Sequence, residues 1–270
     1  MNFQKKLEER WGKVGSLLCV GLDPDFDKLP ESIKGHRYPF FAFNRLIIEK
    51  TADFVCAFKP QIAFYASRSA ENELLMTLDL LHSNYADIPL ILDAKRGDVA
   101  NTAQHYASEV FDRYRADALT VNPYMGGDSL TPFTERADKG VFILCRTSNP
   151  GSGDIQEINI GKQRLFEIIA HKAAKEWNGG KNVGLVVGAT FPKDLKRIRE
   201  IVGDMPLLIP GLGAQGGDIE ATVTAGLCSR GSGMVINSSR GIIYAGKGVD
   251  FADRARFAAR ELRDSINRYR

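Results

Sequence analysis

Two carboxylates and an ammonium stand close together in the stretch ILDAKRGD, residues 91–98: Asp93, Lys95 and Asp98. Alternate residues of an extended strand share a face, so we expect Asp93 and Lys95 to point the same way. Opposite charges at such short range keep both groups ionised. A lysine held there could deliver a proton to carbon, and the carboxylate would repel a bound substrate carboxylate. The spacing suits decarboxylation, with a structural salt-bridge network as the alternative.

Short apolar, β-branched runs recur along the chain and predict the elements that position this cluster. The segments between them have apolar residues three and four apart, which is typical of helices. Apolar strands that alternate with helices indicate a parallel sheet buried on both faces. Eight such units predict a single (β/α)8 TIM barrel, an α/β fold with residues 1–270 as one catalytic domain; a doubly wound open sheet is the alternative. The predicted strands are residues 17–23, 54–60, 89–95, 118–124, 140–147, 183–189, 206–212 and 233–239. The clearest predicted helices are residues 71–85, 101–115, 163–177, 192–202 and 250–270.

The barrel fold places active sites at the carboxyl ends of the strands and in the loops that follow. Lys59 lies at the end of the second predicted strand and Asp23 at the end of the first, so both should flank the acid–lysine pair that ends the third. Asp98 differs, because it lies just before the next helix, for which Asn101 or Thr102 is the predicted cap. The sequence therefore predicts a ring of alternating acids and ammonium groups at the barrel mouth.

Two later parts of the chain carry groups suited to an anion and to a planar polar ligand. Four glycines occur in residues 211–217 after the seventh predicted strand, and Ser239 and Arg240 follow the eighth. Loops after strands seven and eight commonly bind phosphate in this fold, so we expect a phosphate site there. After the fifth strand, Thr147 and Ser148 could hydrogen-bond a planar base, although turn formation by itself explains this segment.

The composition is that of an ordinary soluble globular protein. With 44% hydrophobic and 26% charged residues, the 270-residue chain has enough apolar material for a large core. A net charge of +3, spread along the chain, argues against a nucleic-acid partner, and no apolar run is long enough to span a membrane. The histidines form no metal-binding pattern and the cysteines are far apart, so we expect no metal site, reduced buried thiols and a cytoplasmic location. The four cysteines are Cys19, Cys56, Cys145 and Cys228.

Several motifs together resemble one enzyme family. The stretch LDAKRGDVANT is similar to the D-x-K-x-x-D signature, with its trailing threonine, of the orotidine 5′-phosphate decarboxylases, and GLDPD, FKPQIAFY, CRTSNPG, PGLGAQGGD and NSSRGI resemble the longer bacterial branch of that family. The resemblance covers nearly the whole chain, in the same order. It implies decarboxylation of orotidine 5′-monophosphate to uridine 5′-monophosphate in pyrimidine synthesis, with no metal or organic cofactor.

The resemblance also implies roles for the charged cluster. Asp93 would lie near the substrate's C6 carboxylate, and Lys95 would protonate the C6 carbanion after carbon dioxide departs. Asp98 and Thr102 would reach into the site of a neighbouring subunit. The working unit implied by the resemblance is therefore a homodimer with two shared active sites.

The remaining implied roles concern the rest of the nucleotide. Asp23 and Lys59 would hold the ribose hydroxyls, and Lys59 would also complete the charged array. Ser148 would bond the amide edge of the pyrimidine, with the preceding threonine as the alternative. Gln215 would bridge base and phosphate, and Arg240 would bind the phosphate.

Two other functions fit parts of the same pattern. A magnesium-dependent sugar-phosphate aldolase or decarboxylase on the same scaffold would need a glutamate ligand at the position of Lys59, where an ammonium would repel the cation. A non-catalytic phosphate-binding barrel would keep the glycine loop and Arg240, but it would have no use for the acid–lysine cluster.

Overall fold

The computed structural model of this chain describes residues 1–212 and 218–270. Within these residues, eight parallel strands form one sheet, and a short antiparallel hairpin stands apart from it. The strands are β1 (Leu18–Leu22), β2 (Ala57–Pro60), β3 (Ile91–Arg96), β4 (Ala118–Val121), β5 (Gly140–Arg146), β8 (Val183–Val187), β9 (Leu207–Pro210) and β10 (Met234–Ser238), with β6 (Asn159–Ile160) and β7 (Gln163–Arg164) forming the hairpin. Each of the eight strands overlaps one of the predicted runs.

The order of the strands confirms the predicted barrel. The sheet runs β2-β1-β10-β9-β8-β5-β4-β3, and every ladder within it is parallel. Its two edge strands, β2 and β3, meet through the parallel bridges Phe58↔Leu90 and Gln61↔Asp93. The sheet therefore curls into a nearly closed barrel, and the doubly wound alternative is wrong.

Burial explains why short apolar runs form these strands. All residues of β1, β2, β4, β8 and β10 are buried, as expected for strands that face the barrel interior on one side and helices on the other. Their apolar side chains join those of the surrounding helices in one contiguous hydrophobic cluster. All four cysteines are free and buried, as predicted.

Helices follow most strands and surround the barrel. They are α1 (Phe3–Val14), α2 (Glu31–Lys34), α3 (Pro39–Thr51), α4 (Ile62–Ala66), α5 (Glu71–Asn84), α6 (Ala100–Ser108), α7 (Gly127–Thr134), α8 (Gly153–Gln156), α9 (Leu165–Lys175), α10 (Pro192–Val202), α11 (Ile219–Gly226), α12 (Arg240–Ile243) and α13 (Phe251–Asn267). The predicted helix at 192–202 matches α10 in full, and 250–270 contains α13. None of the helices in the described ranges is long and apolar enough to cross a membrane.

The helix after β3 begins earlier than predicted and ends differently. It starts at Ala100, with Val99 in the cap position, so the prediction of Asn101 or Thr102 as the cap is wrong. The physical reason is that the carbonyl of Val99 already accepts the N–H of Thr102, which places both candidates inside the first turn. The predicted continuation to residue 115 is replaced after Ser108 by a π-helical turn over Glu109–Arg113.

Helix α1 closes the amino-terminal end of the barrel, which the sequence did not predict. The Phe3 ring packs edge-on against Phe142 of β5 at a centroid distance of 5.8 Å. It lies so close to Gly140 that a Cβ there would be 2.3 Å from the ring. Arg10 of the same helix donates to the carbonyl of Val55 just before β2. Solvent therefore meets the barrel interior mainly from the opposite end, where the strands terminate.

Candidate active site

A cavity of about 240 Å³ opens at the carboxyl ends of β1, β2, β3, β9 and β10. Four of the residues predicted from the sequence line it together: Asp23, Lys59, Asp93 and Arg240. The other lining residues are Gln61, Phe64, Pro210, Gly211, Leu212, Asn237, Ser238 and Ser239. Carboxylates and an ammonium thus occupy one part of the cavity, and a guanidinium with serine hydroxyls occupies another.

A larger cavity of about 440 Å³ lies between the ends of β4 and β5. Its walls include Tyr124, Ile155 and Phe166, and none of its lining residues carries a formal charge. The chemistry predicted from the sequence needs charged acid and ammonium groups, so we place the candidate active site in the smaller, charged cavity.

The carboxylate of Asp93 is the centre of the charged cluster. Its Oδ2 lies 2.9 Å from Lys59 Nζ and its Oδ1 lies 2.7 Å from Lys95 Nζ. The hydroxyl of Thr120, on the neighbouring strand β4, donates to Oδ1 at 2.7 Å. Both lysines therefore lie beside this aspartate, as the sequence predicted. The contact with Thr120 was not predicted.

Burial and the neighbouring charges shift the pKa values of Asp93 and Lys59 in opposite directions. Burial raises the pKa of Asp93, but the charges of Lys59 and Lys95 and their hydrogen bonds outweigh it and hold the pKa well below its ordinary value. Burial likewise lowers the pKa of Lys59, but Asp93 and Asp23 outweigh it and hold that pKa above its ordinary value. Asp93 and Lys59 are consequently both charged throughout the neutral range.

The backbone at Lys95 differs from the regular strand that the sequence predicted. Lys95 has a φ of 45°, in the left-handed region, and the pairing register of β3 with β4 shifts between Leu92 and Arg96. Few residues other than glycine adopt this conformation, and such strain is often found at functional sites. The hydroxyl of Thr120 accepts the N–H of Lys95 at 3.0 Å and so stabilises the irregular turn. The Lys95 side chain nevertheless reaches Asp93, as its spacing predicted.

Asp23 extends the cluster towards β10. Its Oδ1 accepts the N–H of Gln61 at 3.1 Å, which links the ends of β1 and β2. Gly21, two residues earlier, packs so closely on the end of β10 that a Cβ there would lie 1.8 Å from Ser239 Oγ and 3.1 Å from Asp23 Oδ2. Glycine at this position therefore allows the acidic and the anion-binding parts of the cavity to approach each other.

The structure describes only part of the predicted phosphate site. Arg240 is exposed at the start of α12 and lines the cavity beside Ser239. Gly211, at the end of β9, has a φ of 95°, a conformation that favours glycine. Gln215 and the rest of residues 213–217 lie outside the described residues, so the role of Gln215 stays a prediction.

Four predicted residues do not line this cavity: Lys95, Asp98, Thr102 and Ser148. Lys95 instead borders a neighbouring cavity of about 550 Å³, which shares Gln61 with this one. Asp98 is half-buried on the loop after β3, where its Oδ1 accepts the N–H of Val99 at 2.8 Å, and Thr102 is exposed on α6. Ser148 lies after β5 and packs against Gly188, at whose position a Cβ would be 2.8 Å from the Ser148 Cβ. Their predicted contacts with substrate stay predictions.

The sequence reading also missed polar residues inside the cavity. Asn237 and Ser238 lie in the final strand β10 and face the mouth, and Gln61 follows β2 directly. The alternation of side chains along strand β10 could have indicated one of them, but which face is inward depends on register with β1 and β9, and a single sequence does not give it. In the part of the chain that the structure describes, His, Cys, Asp and Glu side chains form no group of three or more able to hold a metal ion.

Comparison with known proteins gives a consistent result over the full length. Residues 16–255 match the model of the orotidine 5′-phosphate decarboxylase / HUMPS family. Proteins named orotidine 5′-phosphate decarboxylase from Dechloromonas aromatica (strain RCB) and Azoarcus sp. (strain BH72) are 55% and 54% identical over 270 residues, with 100% of each chain covered. The solved structure of Leishmania donovani OMP decarboxylase superposes with a TM-score of 0.87 at 40% identity, covering 100% of this chain and 99% of that one. The chain therefore belongs to the orotidine 5′-phosphate decarboxylase / HUMPS family.

Proposed function

We propose that this chain decarboxylates orotidine 5′-monophosphate to uridine 5′-monophosphate, with residues 1–270 acting as one catalytic domain. The observation that carries this proposal is the buried Asp93 carboxylate, which lies 2.9 Å from Lys59 Nζ and 2.7 Å from Lys95 Nζ. Asp93 and Lys59 line a cavity that also contains Arg240. A nucleotide with a carboxylated base matches such a cavity, because the phosphate can pair with the guanidinium while the base carboxylate approaches the charged cluster. The function of the relatives supports the same assignment.

The proposed reaction uses the charges of Asp93 and Lys95 in sequence. The C6 carboxylate of the substrate binds near the Asp93 carboxylate, and the repulsion between them raises the energy of the bound ground state. The bond between C6 and the carboxylate carbon breaks, carbon dioxide leaves, and the electron pair stays on C6. Lys95 then transfers a proton from Nζ to C6, which gives the product and a neutral amine that water can reprotonate.

The different exposure of the two lysines supports this division of roles. The Lys95 side chain is 47% exposed, so its amine can regain a proton from solvent after each turnover. The Lys59 side chain is 5% exposed and its pKa is held above the ordinary value by Asp93 and Asp23, which outweigh the effect of burial. Lys59 therefore keeps its proton and serves as a fixed positive charge that also binds a ribose hydroxyl beside Asp23.

The remaining substrate contacts follow from the position of each group around the cavity. We assign the phosphate to Arg240, with Ser239 beside it, and the amide edge of the base to Ser148 at the end of β5. Gln215 is assigned to the base and the phosphate on the family resemblance alone. The free, buried state of all four cysteines agrees with a reducing compartment, so we assign the protein to the cytoplasm.

The direct test is the consumption of orotidine 5′-monophosphate, followed by ultraviolet absorbance with the full chain. We expect turnover that is unchanged in EDTA, because the proposed steps use only side chains of the protein. A chain that does not consume this substrate would refute the assignment. Activity that is lost in EDTA and restored by magnesium would instead favour the metal-dependent aldolase or decarboxylase.

We further propose that the active unit is a homodimer in which each active site contains residues from both chains. Asp98 and Thr102 lie outside the cavity and have side chains that reach solvent. Val99 follows Asp98 directly, and Tyr124 and Met125 follow β4 at the same end of the barrel. All three expose apolar side chains, and exposed apolar surface is typical of contact surfaces. A second copy of the chain would cover these side chains and bring its own Asp98 to the cavity.

Mixing two inactive variants tests the shared site. In a heterodimer of Asp93→Asn and Asp98→Asn chains, one site carries both substitutions and the other carries neither. Random exchange of subunits should restore about a quarter of the wild-type activity, since half of the dimers then have one intact site of two. Each variant alone serves as the control. Failure of the mixture to exceed the separate variants, when subunit exchange is demonstrated, would contradict a site shared in this way.

A further inference from the structure

Arg146, the last residue of β5, has a fully buried guanidinium that the proposed mechanism does not use. Its side chain is 1% exposed, and a buried cation is costly unless it is paired. Here Nε donates to Asp194 Oδ2 at 3.0 Å, and the two terminal nitrogens donate to Ser152 and Glu157. The Phe191 ring covers the cation at 3.7 Å from its centroid.

These partners belong to two different parts of the chain. Ser152 and Glu157 lie in the loop after β5, residues 147–157, which we call the β5 loop. Asp194 and Phe191 lie at the start of α10. The guanidinium of Arg146 therefore links the β5 loop to the start of α10. Arg164 also bonds Asp194, at 3.0 Å, but none of its ion pairs reaches the β5 loop.

The same loop carries both candidates for contact with the base. The amide of Gln156 accepts the N–H of Thr147 at 2.8 Å and donates to its hydroxyl at 2.9 Å. The Thr147 hydroxyl in turn donates to Asn149 Oδ1 at 2.7 Å. Thr147 is thus committed to contacts inside the loop.

Ser148 is in a different situation. Its Cα, Cβ and N lie against Gly188, where an added Cβ would approach them to 2.8–2.9 Å, so its backbone is fixed from the side of β8. Among the described residues, no hydrogen bond involves its hydroxyl. The side chain is half-buried at the mouth of the barrel. It is therefore the hydroxyl of this loop that is available to a ligand.

We propose that Arg146 is a positioning residue that sets base recognition, by holding the β5 loop so that Ser148 rather than Thr147 faces the pyrimidine. This inference rests on the proposed function, because it concerns the same site and substrate. Arg146 touches neither substrate nor reacting atoms in this scheme. Its effect reaches the ligand only through the loop, so it should alter recognition of the base and leave recognition of the ribose phosphate intact.

The substitution Arg146→Met tests this because it removes the cation and keeps a long buried side chain. The carboxylates left behind are not stranded, since Asp194 keeps Arg164 and the Glu157 side chain is 44% exposed to water. We expect inhibition by uridine 5′-monophosphate to weaken about 10- to 100-fold, because a displaced loop loses its hydrogen bond to the base. Inhibition by ribose 5-phosphate, which has no base, should stay within about two-fold of wild type.

Two further variants serve as controls. Arg164→Met removes the other cation from Asp194 without touching the β5 loop, so both inhibitors should bind as they do to wild type, within about two-fold. Arg146→Lys keeps the charge but cannot reach three partners at once, so it should recover only part of the lost affinity for uridine 5′-monophosphate. If circular dichroism shows that Arg146→Met is unfolded, Arg146→Lys takes its place in the test. Its inhibition constants for uridine 5′-monophosphate and for ribose 5-phosphate are then compared with those of wild type in the same way.

The outcomes separate this inference from the proposed function. A selective loss of affinity for uridine 5′-monophosphate, with ribose 5-phosphate unchanged, supports the positioning role. An equal loss for both inhibitors, or no loss for either, refutes it even when the wild-type chain decarboxylates its substrate. A wild-type chain that does not turn the substrate over refutes the proposed function itself, and this inference with it.

Discussion

Lys95→Ala is expected to lower kcat for orotidine 5′-monophosphate by roughly 10³-fold or more, since removal of a general acid alone typically costs 10²- to 10⁴-fold. The C6 carbanion would then have to take its proton from water, and the positive charge 2.7 Å from Asp93 would also be lost. The variant should still fold, because the Lys95 side chain is half-exposed and little apolar surface is lost with it. Ultraviolet assay of the purified variant measures the effect.

The variant Lys95→Arg separates proton transfer from charge. A guanidinium keeps the positive charge near Asp93, but its pKa lies too far above neutrality for it to release a proton to carbon. We therefore expect Lys95→Arg to be about as slow as the alanine variant. If the arginine variant kept most of the wild-type kcat, Lys95 would act as a fixed charge and the assignment of the proton donor would be wrong. Full activity of Lys95→Ala would exclude Lys95 from the chemistry altogether.

Periodicity in the sequence was sufficient to predict the barrel and part of its charged centre. Apolar runs that alternate with helices predict parallel strands, and parallel strands bring their carboxyl ends together at one edge. That reasoning alone placed Lys59 beside Asp93, and the two lie 2.9 Å apart. Such contacts depend on strand order and direction, which the repeating pattern of the chain encodes.

Other features depend on register and on contacts between distant residues, which one sequence does not reveal. Thr120 bonds Asp93 across 27 positions because β3 and β4 pair in one particular register. The left-handed backbone of Lys95 follows from an irregularity in that same pairing. The sequence shows Arg146 as one polar residue at a strand end, whereas its burial depends on α10, 48 positions away. The residues able to do chemistry could therefore be predicted from the sequence, but the contacts that hold them in place could not.

Asp93→Asn is expected to affect both turnover and folding, because this carboxylate is the counter-ion of a buried lysine. Without the charge, the repulsion that raises the energy of the substrate carboxylate disappears, and kcat should fall by about 10²- to 10³-fold. The buried Lys59 then loses its nearest counter-ion, and breaking a buried ion pair costs about 3 kcal/mol or more in the free energy of unfolding. Asp23 remains nearby, which keeps the expected loss at the lower end of that range.

The pH dependence of this stability difference is a second test of the pair. The folded pKa of Asp93 is depressed, because the two lysines outweigh the effect of burial. Its stabilising contribution is therefore complete above the unfolded value of about 3.9 and is lost as the pH falls through the folded value. The folded pKa of Lys59 is raised, so its contribution is complete below about 10.4 and is lost only at higher pH. Wild type and Asp93→Asn should differ most between these limits.

Urea unfolding followed by circular dichroism at pH 7 and at pH 2.5 measures this difference, with Asp112→Asn as the matched control. Asp112 also pairs with a cation, Arg136, at 2.6 Å, but its side chain is 54% exposed and does not line the cavity. Solvent screens such a surface pair, so its loss should cost no more than about 1 kcal/mol and leave kcat unchanged. A large loss of stability in Asp93→Asn at pH 7 that becomes smaller at pH 2.5, together with slow turnover, would show that one carboxylate both balances a buried lysine and acts on the substrate. If Asp93→Asn instead retained wild-type kcat while losing stability, Asp93 would be a structural counter-ion, and the repulsion assigned to it would have no part in the reaction.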